Sequence, residues 1–506
     1  MSINREELFG QIMKARTRIY RIAAPTPLEV YSMPGGWNML LKREDLSPIH
    51  SYKWRGAYNF MKARESEARA MGVTAASAGN HAQGVALAAS VLGISAHIFM
   101  PKSAPRLKVE STARIGATWV EIHQVGDNFD ETAAAAHDFS HDSGALYLPP
   151  YDDLLVMAGQ GVLGDEMMVG PHRPDVVFVQ IGGGGLAAGL ATVIKTYDPE
   201  VKIIGVEEAG QASMKAALEA GEPVTLGHVD VFCDGTAVKR AGKLPFEILK
   251  DQLDDLVTVT VGEVSSAIEQ LWQVARALSE PSGALGFAAA RQMADQLRGL
   301  TAGVILTGAN LDFRQMARIS RQAGGGAEPK PYYRIRLMER PGAILALLQV
   351  LAPLGLNISY LMCGQNDRNA AYPIFSFDVH KNEVPKLEST LAGAGYDFQD
   401  VSDREDLSFR LAPFQPHLFK RPFGAILHFP ERPGALTEFF ERIVPLANIS
   451  YFNYAHTGEQ VGRALVVLSF ESDDNRAKCL ADIEQKGPHY TTLAPDTMEA
   501  LGVSAW

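Results

Sequence analysis

From residue 70 to about 310, short apolar runs alternate with longer stretches in which apolar residues recur at spacings of three and four. The short runs predict strands at Val73–Ser77, Ala96–Met100, Thr118–Ile122, Val176–Ile181, Ile203–Glu207 and Val304–Thr307. Between them, stretches such as LKVESTARIGA and DLLVMAGQGVLGDEMM predict helices. Strands regularly separated by helices imply βαβ units, and hence parallel sheets covered by helices on both faces. Ligands on such sheets sit beyond the carboxyl ends of the strands, where loops open into helix N-termini. The N-terminal MSINREELFGQIMKARTRIY is charged and patterned as an amphipathic helix, unlike a signal peptide. The most apolar stretch, GVALAASVLGISAHIFM at residues 84–100, carries a Gly-Ile-Ser break before a histidine. It predicts a buried helix followed by a strand rather than a membrane span.

The pattern changes at QAGGGAEPKP, residues 322–331, where Gly and Pro cluster and no apolar period crosses. This reads as a linker. An internal repeat follows. Its copies are MERPGAILALLQVLAPLGLNISYL, residues 338–361, and PERPGALTEFFERIVPLANISYFN, residues 430–453, offset by 91 or 92 positions. In each, an apolar strand precedes a Pro-Gly turn, a helix follows, and Asn-Ile-Ser leads into another strand. Two copies at this spacing predict two related modules of about 85 residues rather than a solenoid.

A chain of 506 residues suggests roughly three domains at about 150 residues each. With 46% hydrophobic and 21% charged residues it has the composition of a globular protein with large cores. The net charge of −11, without any run of Lys and Arg, argues against nucleic acid as a partner. Cys233, Cys363 and Cys479 lie far apart, with no metal-ligand spacing. A reduced, cytoplasmic setting is expected, with no membrane partner and no metal.

Three stretches carry candidate chemistry. In VVFVQIGGGGLAAGL, Gly182, Gly183, Gly184 and Gly185 follow an apolar run and precede a small-residue helix. A backbone without Cβ atoms folds tightly and turns several N–H groups toward one anion, and the helix dipole adds to that field. A single glycine there reads as a packing turn; four favour a phosphate cradle. No Gly-Lys-Ser/Thr follows, so the loop is not a Walker A, and a small phosphorylated cofactor fits better than a nucleotide. In VTAASAGNHAQG, a strand runs into Ser77-Ala78-Gly79-Asn80-His81 at a helix start. That loop suits a carboxylate, though Ser and Asn also serve as plain helix caps. In IHSYKWRG, Lys53 stands between two aromatic residues. It reads either as a partly buried lysine packed on Tyr52 and Trp54, or as a reactive amine kept dry so that it can form an imine. The octapeptide does not decide, and Thr307 of GVILTGANLDF taken alone is an ordinary strand end.

Together, LKREDLSPIHSYKWRGAY, TAASAGNHAQGVA, AGQG, GGGGLAAG, GTAVKR, EPSGAL and LTGAN resemble, in order and spacing, the fold type II (tryptophan synthase β-like) pyridoxal-phosphate enzymes. Among these the likeness is nearest to the biosynthetic threonine dehydratases, or threonine deaminases, and the repeats resemble their paired ACT-like regulatory modules. The resemblance implies an α/β catalytic domain with parallel sheets over residues 1–321, a smaller subdomain inserted at about 49–155, and the linker at 322–331. Two α+β ACT-like (βαββαβ) modules are then implied at 332–414 and 422–506.

The resemblance further implies pyridoxal 5'-phosphate as cofactor and L-threonine as substrate, eliminated to 2-oxobutanoate and ammonia with some activity on L-serine. Lys53 stands at the Schiff-base lysine, and Gly182 to Gly185 with Leu186 at the phosphate loop. Asn80 stands at the partner of the cofactor's phenolic oxygen. Ser77, Gly79, Asn80 and His81 stand in the loop receiving the substrate carboxylate. Thr307 stands where a hydroxyl faces the pyridine nitrogen, a place these dehydratases usually give to serine. Glu280 lies in a segment approaching the cofactor ring, with no definite role.

Isoleucine and valine are the implied effectors, with Asn357, Tyr360, Asn448 and Tyr454 as candidates near their sites, and a homotetramer is the implied assembly. Serine racemases and catabolic serine/threonine dehydratases are the rival readings within the group, and a catalytically inactive amino-acid sensor is the rival outside it. Ala78 occupies the position of the racemases' second acid/base serine. Of the racemases' metal-binding acids only Glu207 is present, with Ala212 and Ser213 at the nearby positions. Catabolic forms usually lack the two modules.

Overall fold

Asn4 starts the first helix, Arg5–Ile19, by accepting the Glu7 N–H at 2.8 Å. Leu8, Ile12, Ala15 and Ile19, spaced by three and four, are its buried face, so the amphipathic reading of the N-terminus holds. In this computed structural model residues 4–323 and, with gaps, 331–500 are described. The chain divides into two units, Met1–Met316 and Ala317–Trp506.

The first unit holds two sheets. Its strands are β1 (Leu28–Met33), β2 (Trp37–Arg43), β3 (Val73–Ala76), β4 (Ala96–Met100), β5 (Val120–Gln124), β6 (Leu146–Tyr147), β7 (Val176–Gln180), β8 (Lys202–Glu208), β9 (Asp255–Val259) and β10 (Thr301–Leu306). The larger sheet runs β1-β2-β10-β7-β8-β9, parallel except for the β1–β2 hairpin at its edge. The smaller runs β5-β4-β3-β6, all parallel, and its strands fall in the chain between β2 and β7. Every residue of β7 is buried, as a central parallel strand covered on both faces requires. The stretch 84–100 is a buried helix, Asn80–Leu92 overall, followed by β4.

One predicted strand is displaced. The run at 118–122 begins only at Val120, because Ala117 has φ +48 and residues Ala117–Trp119 form a 3-10 turn after the helix Arg106–Gly116. The hairpin β1–β2 and strands β6 and β9 were not among the predicted strands. β2 ends in two charged residues, Lys42 and Arg43, that are nevertheless buried.

Those charges belong to a closed ionic cluster. Arg55, on the helix Trp54–Ala63, meets Glu44 at 2.9 Å through Nε and Glu166 at 2.7 Å through Nη1; Lys42 reaches Glu166 at 2.6 Å. All four side chains are at most 2% exposed. Two cations balance two anions, which is the condition for keeping them dry. Burial alone would raise the Glu166 carboxyl, but Arg55 and Lys42 hold it below its ordinary value. Its contribution to stability is therefore present at neutral pH and lost as the pH falls through that lowered value.

The second unit contains two four-stranded antiparallel sheets of the same order. In the first, Asn357–Met362, Ile374–Asp378, Tyr332–Ile335 and Phe398–Asp400 lie side by side; in the second, Asn448–Ala455, Val461–Ser469, Phe423–Pro430 and His489–Thr492 do so. In chain order both read second, third, first, fourth. Register also repeats: Asn357 pairs with Asp378 and Asn448 with Ser469, and each strand shifts register between Ile and Tyr, at Ile358/Tyr360 and Ile449/Tyr451. Each sheet has its own core, built on Tyr333, Phe375 and Phe377 in one and Phe423, Phe429 and Val466 in the other. The helix Phe313–Ala323 extends through the first two residues of the predicted linker, and residues 324–330 lie outside the described residues.

Candidate active site

Three strands of the first unit deliver their loops to one cleft. β3 leads through Ser77–Gly79 into the helix Asn80–Leu92, β7 through the glycines into the helix Gly185–Tyr197, and β10 ends at Thr307. Lys53 arrives separately. Backbone pairing ties its segment to the end of β10, with Tyr52 N–H donating to Thr307 O at 3.1 Å and Ala309 N–H to His50 O at 3.0 Å. The carboxyl ends of the strands are where an open α/β sheet offers a ligand site. The cleft takes in about 440 Å³ of space, part of it open to solvent. Lys53, Asn80, Gly182, Gly183, Gly184, Gly185, Leu186, Glu280 and Thr307 all line it.

Lys53 is half-buried where it faces the cleft, and its Nζ lies 3.2 Å from Pro150 O and 5.4 Å from the Tyr52 ring centre. Burial brings its pKa down to about 8, against the opposing pull of Glu280. An amine so placed is partly neutral near physiological pH, as a nucleophile or base must be. Glu280 is pushed up to about 7 by burial and by Asp234, while Lys108, Asn80 and the Asn310 N–H resist. Asn80 is held at both ends of its amide: Nδ2 donates to Glu280 Oε1 at 2.7 Å, and Oδ1 accepts from Asn310 Nδ2 at 2.8 Å. One N–H of the Asn80 amide remains for a ligand.

The glycines are required by contact as well as by conformation. A Cβ at Gly183 would stand 2.2 Å from the Tyr151 ring, and one at Gly182 2.9 Å from the Thr236 backbone. Gly184 has φ +92, in the left-handed region. The loop thus packs under Tyr151 while opening its N–H groups at a helix N-terminus, a cradle that side chains would fill. Thr307 is addressed from behind by Gln180, whose Nε2 lies 2.9 Å from Thr307 Oγ1, 2.9 Å from Ile305 O and 3.2 Å from Ser282 O. Both carbonyls only accept, so the Gln180 nitrogen must face them. Thr307 Oγ1 then accepts from Gln180 and keeps its own proton for the cleft.

Ser77, Gly79 and His81 flank Asn80 but are not on the wall. Ser77 Oγ accepts the Gly79 N–H at 3.2 Å. His81 is buried with Nε2 3.0 Å from Leu148 O, so that nitrogen donates; burial, with Lys53 adding, lowers its pKa to about 3 and keeps the ring neutral. Lys108 approaches Gly79, its Nζ 3.7 Å from where a Cβ there would be, and pairs with Asp234. Glu207 accepts the N–H groups of Met214 at 2.8 Å and Lys215 at 2.9 Å. Its carboxylate therefore starts the helix Ser213–Ala220. Asn357, Tyr360, Asn448 and Tyr454 lie on strands of the second unit, but their side chains are outside the described residues. The repeated register aligns Tyr360 with Tyr451 rather than Tyr454.

The sequence reading missed Tyr151, Gln180 and the Lys108–Asp234 pair. Gly235, Thr236 and Ser282, also on the wall, lie within GTAVKR and EPSGAL, so their stretches were legible though their contacts were not.

This chain is matched over residues 19–308 by the family described as pyridoxal-phosphate dependent enzyme, and over 423–502 by the C-terminal regulatory domain of threonine dehydratase. It is 37% identical to L-threonine dehydratase biosynthetic IlvA of Haemophilus influenzae, over 92% of each chain. To its Escherichia coli counterpart it is 36% identical, over 91% of this chain and 90% of that one. Among solved structures, the processed form of threonine deaminase isoform 2 from Solanum lycopersicum superposes with a TM-score of 0.61 at 37% identity, covering 64% of this chain and 95% of that one. A cleft in which a lysine, a glycine cradle and a threonine hydroxyl converge, in a chain alike over nine-tenths of its length, leads to one conclusion: the protein belongs to the biosynthetic threonine dehydratase family of pyridoxal-phosphate dependent enzymes.

Proposed function

We propose that this chain converts L-threonine to 2-oxobutanoate and ammonia, with lesser action on L-serine, as the first step of isoleucine biosynthesis in the cytoplasm. The observation that carries the reading is the convergence of Lys53, the glycine cradle and Thr307 on one cleft. Pyridoxal phosphate fits the donor set: an amine for its aldehyde, N–H groups for its phosphate and a neutral hydroxyl for its ring nitrogen. When bound it supplies an electron sink that makes the substrate's α-proton removable.

The chain's own residues do the rest. Lys53, freed by the incoming amino acid, takes the α-proton as general base. Gly182 to Gly185 and Leu186 hold the phosphate, and Asn80 directs its remaining N–H at the ring oxygen. The Ser77–His81 loop, with the Lys108 ammonium beside Gly79, receives the substrate carboxylate. Thr307 offers a hydrogen bond without full protonation, which keeps the sink weak. A weak sink favours expulsion of a β-hydroxyl over prolonged build-up of charge. The released enamine, aminocrotonate, then hydrolyses in water.

Gly183→Ala tests the cradle. Overpacking of this kind costs about 1–3 kcal/mol. Taken from the cofactor-bound form, that is roughly one to two orders of magnitude in affinity. Titration of the stripped enzyme with pyridoxal phosphate measures it; unchanged affinity removes the cradle assignment. Racemisation is the rival outcome, and assay of threonine and serine with chiral analysis of recovered serine distinguishes it. Ala78 and the helix-starting role of Glu207 both speak against racemase.

The duplicated modules support amino-acid feedback, isoleucine inhibiting and valine opposing it in a homotetramer, with Asn357, Tyr360, Asn448 and Tyr454 near the effector sites. Allosteric couplings are typically about 1–3 kcal/mol, or about 5- to 150-fold. Isoleucine is therefore expected to move half-saturation by threonine upward by at least about fivefold. A saturation curve indifferent to isoleucine sinks this part of the reading and leaves the chemistry untouched.

A further inference from the structure

The edge of the smaller sheet carries a cluster that the threonine chemistry does not use. His97 on β4 and Glu121 and His123 on β5 share one face of the sheet, since β4 and β5 are parallel neighbours with His97 opposite Glu121. Their donor atoms form a small triangle. His97 Nδ1 is 3.1 Å from His123 Nε2 and 3.5 Å from Glu121 Oε2, and His123 Nε2 is 3.7 Å from Glu121 Oε1. Ligands at about 2.0–2.1 Å around a tetrahedral ion are separated by about 3.3 Å, so these spacings nearly match. We propose that His97, Glu121 and His123 form a three-ligand site for a divalent transition cation of the Zn²⁺ class, with water as the fourth ligand.

The surroundings favour this use. Phe139 packs against His97 with ring centres 4.5 Å apart, and Phe99 stacks on His123 at 4.6 Å, so neither imidazole has to be ordered when a cation arrives. Both histidines are about a quarter exposed and Glu121 about two-thirds, which gives an entry path and room for water. Without a cation the two rings share one N–H···N bond; on uptake the donor ring moves that proton to its other nitrogen through solvent, staying neutral, and both facing nitrogens bind the ion. A donor set of two nitrogens and one oxygen favours Zn²⁺, Co²⁺ or Ni²⁺ over Mg²⁺ and Ca²⁺, which prefer all-oxygen shells. The site would clamp β5, an edge strand, to β4.

The test is titration of the full-length holoenzyme with Zn²⁺ against a chromophoric chelator, repeated with Mg²⁺. One Zn²⁺ per chain is expected, with no competition from Mg²⁺. In His123→Gln the affinity should fall at least about tenfold, because even the outer partners of a metal site are worth that much. Glu121→Gln, at an exposed position that folding does not need, should weaken binding as well. Zn²⁺ should also raise the melting temperature of the wild type more than that of Glu121→Gln. The proposal is overturned if the wild type takes up no Zn²⁺, or if both variants bind it as the wild type does.

Discussion

Lys53→Ala should give a folded, colourless protein that forms no 2-oxobutanoate. Lys53 faces the cleft from the residue just before the helix Trp54–Ala63, and its only hydrogen bond from the ammonium is to Pro150 O among the described residues. Truncation therefore removes little packing, and a normal melting curve is expected. Loss of the base alone accounts for about 10²–10⁴ in rate. Losing the amine that holds the cofactor aldehyde compounds this, so turnover should sink below detection. Two readouts must fail together: product formation, and the near-visible absorbance of lysine-linked cofactor. A yellow, active Lys53→Ala would refute the assignment of this residue, and a colourless wild type loaded with pyridoxal phosphate would favour an inactive sensor.

The second large effect is on folding. Arg55→Met leaves Glu44 and Glu166 facing each other with Lys42 alone to neutralise them, all out of water. Removing one partner of a buried ionic group costs about 3–5 kcal/mol, because the charges left behind are unpaired. That is a large share of the stability of an ordinary domain. Arg55→Met should accordingly melt well below the wild type or accumulate insoluble. Arg69→Ala is the control. Its pair with Glu65 is exposed on a helix surface, so the melting curve should stay in place. Equal melting temperatures for Arg55→Met and the wild type would mean that the cluster is more hydrated than its burial indicates.

Much of the architecture was legible because parallel strands buried on both faces must be short and apolar. β3, β4, β7, β8 and β10 follow the runs read from the sequence to within a few residues. β2 escaped because its burial depends on Lys42 and Arg43 being neutralised from elsewhere, by Glu166 in one case and Glu29 and Asp45 in the other. No local pattern announces such compensation. β5 slipped because the turn at Ala117 delays the strand. In the cleft, the glycines announced themselves by type and by their place after an apolar strand, whereas Lys53 and Thr307 were legible only through the set of motifs around them. Tyr151 and Gln180 were not legible. One acts through a ring packed on Gly183 and the other through a hydrogen bond to Thr307 Oγ1, and both relations exist only once the chain has folded. The repeat foretold two modules of one topology, and the structure adds that even the irregularity in their second strands recurs.

The cleft is divided between supports. Asn80 hangs from the end of β3 in the smaller sheet, whereas the glycines and Thr307 hang from β7 and β10 in the larger. Reacting atoms displaced by about 1 Å can lose about two orders of magnitude in rate. A slight rocking of one sheet against the other would therefore throttle turnover while every participating residue stayed intact. Control over this enzyme needs no blocking molecule in its mouth, only leverage on the angle between two slabs.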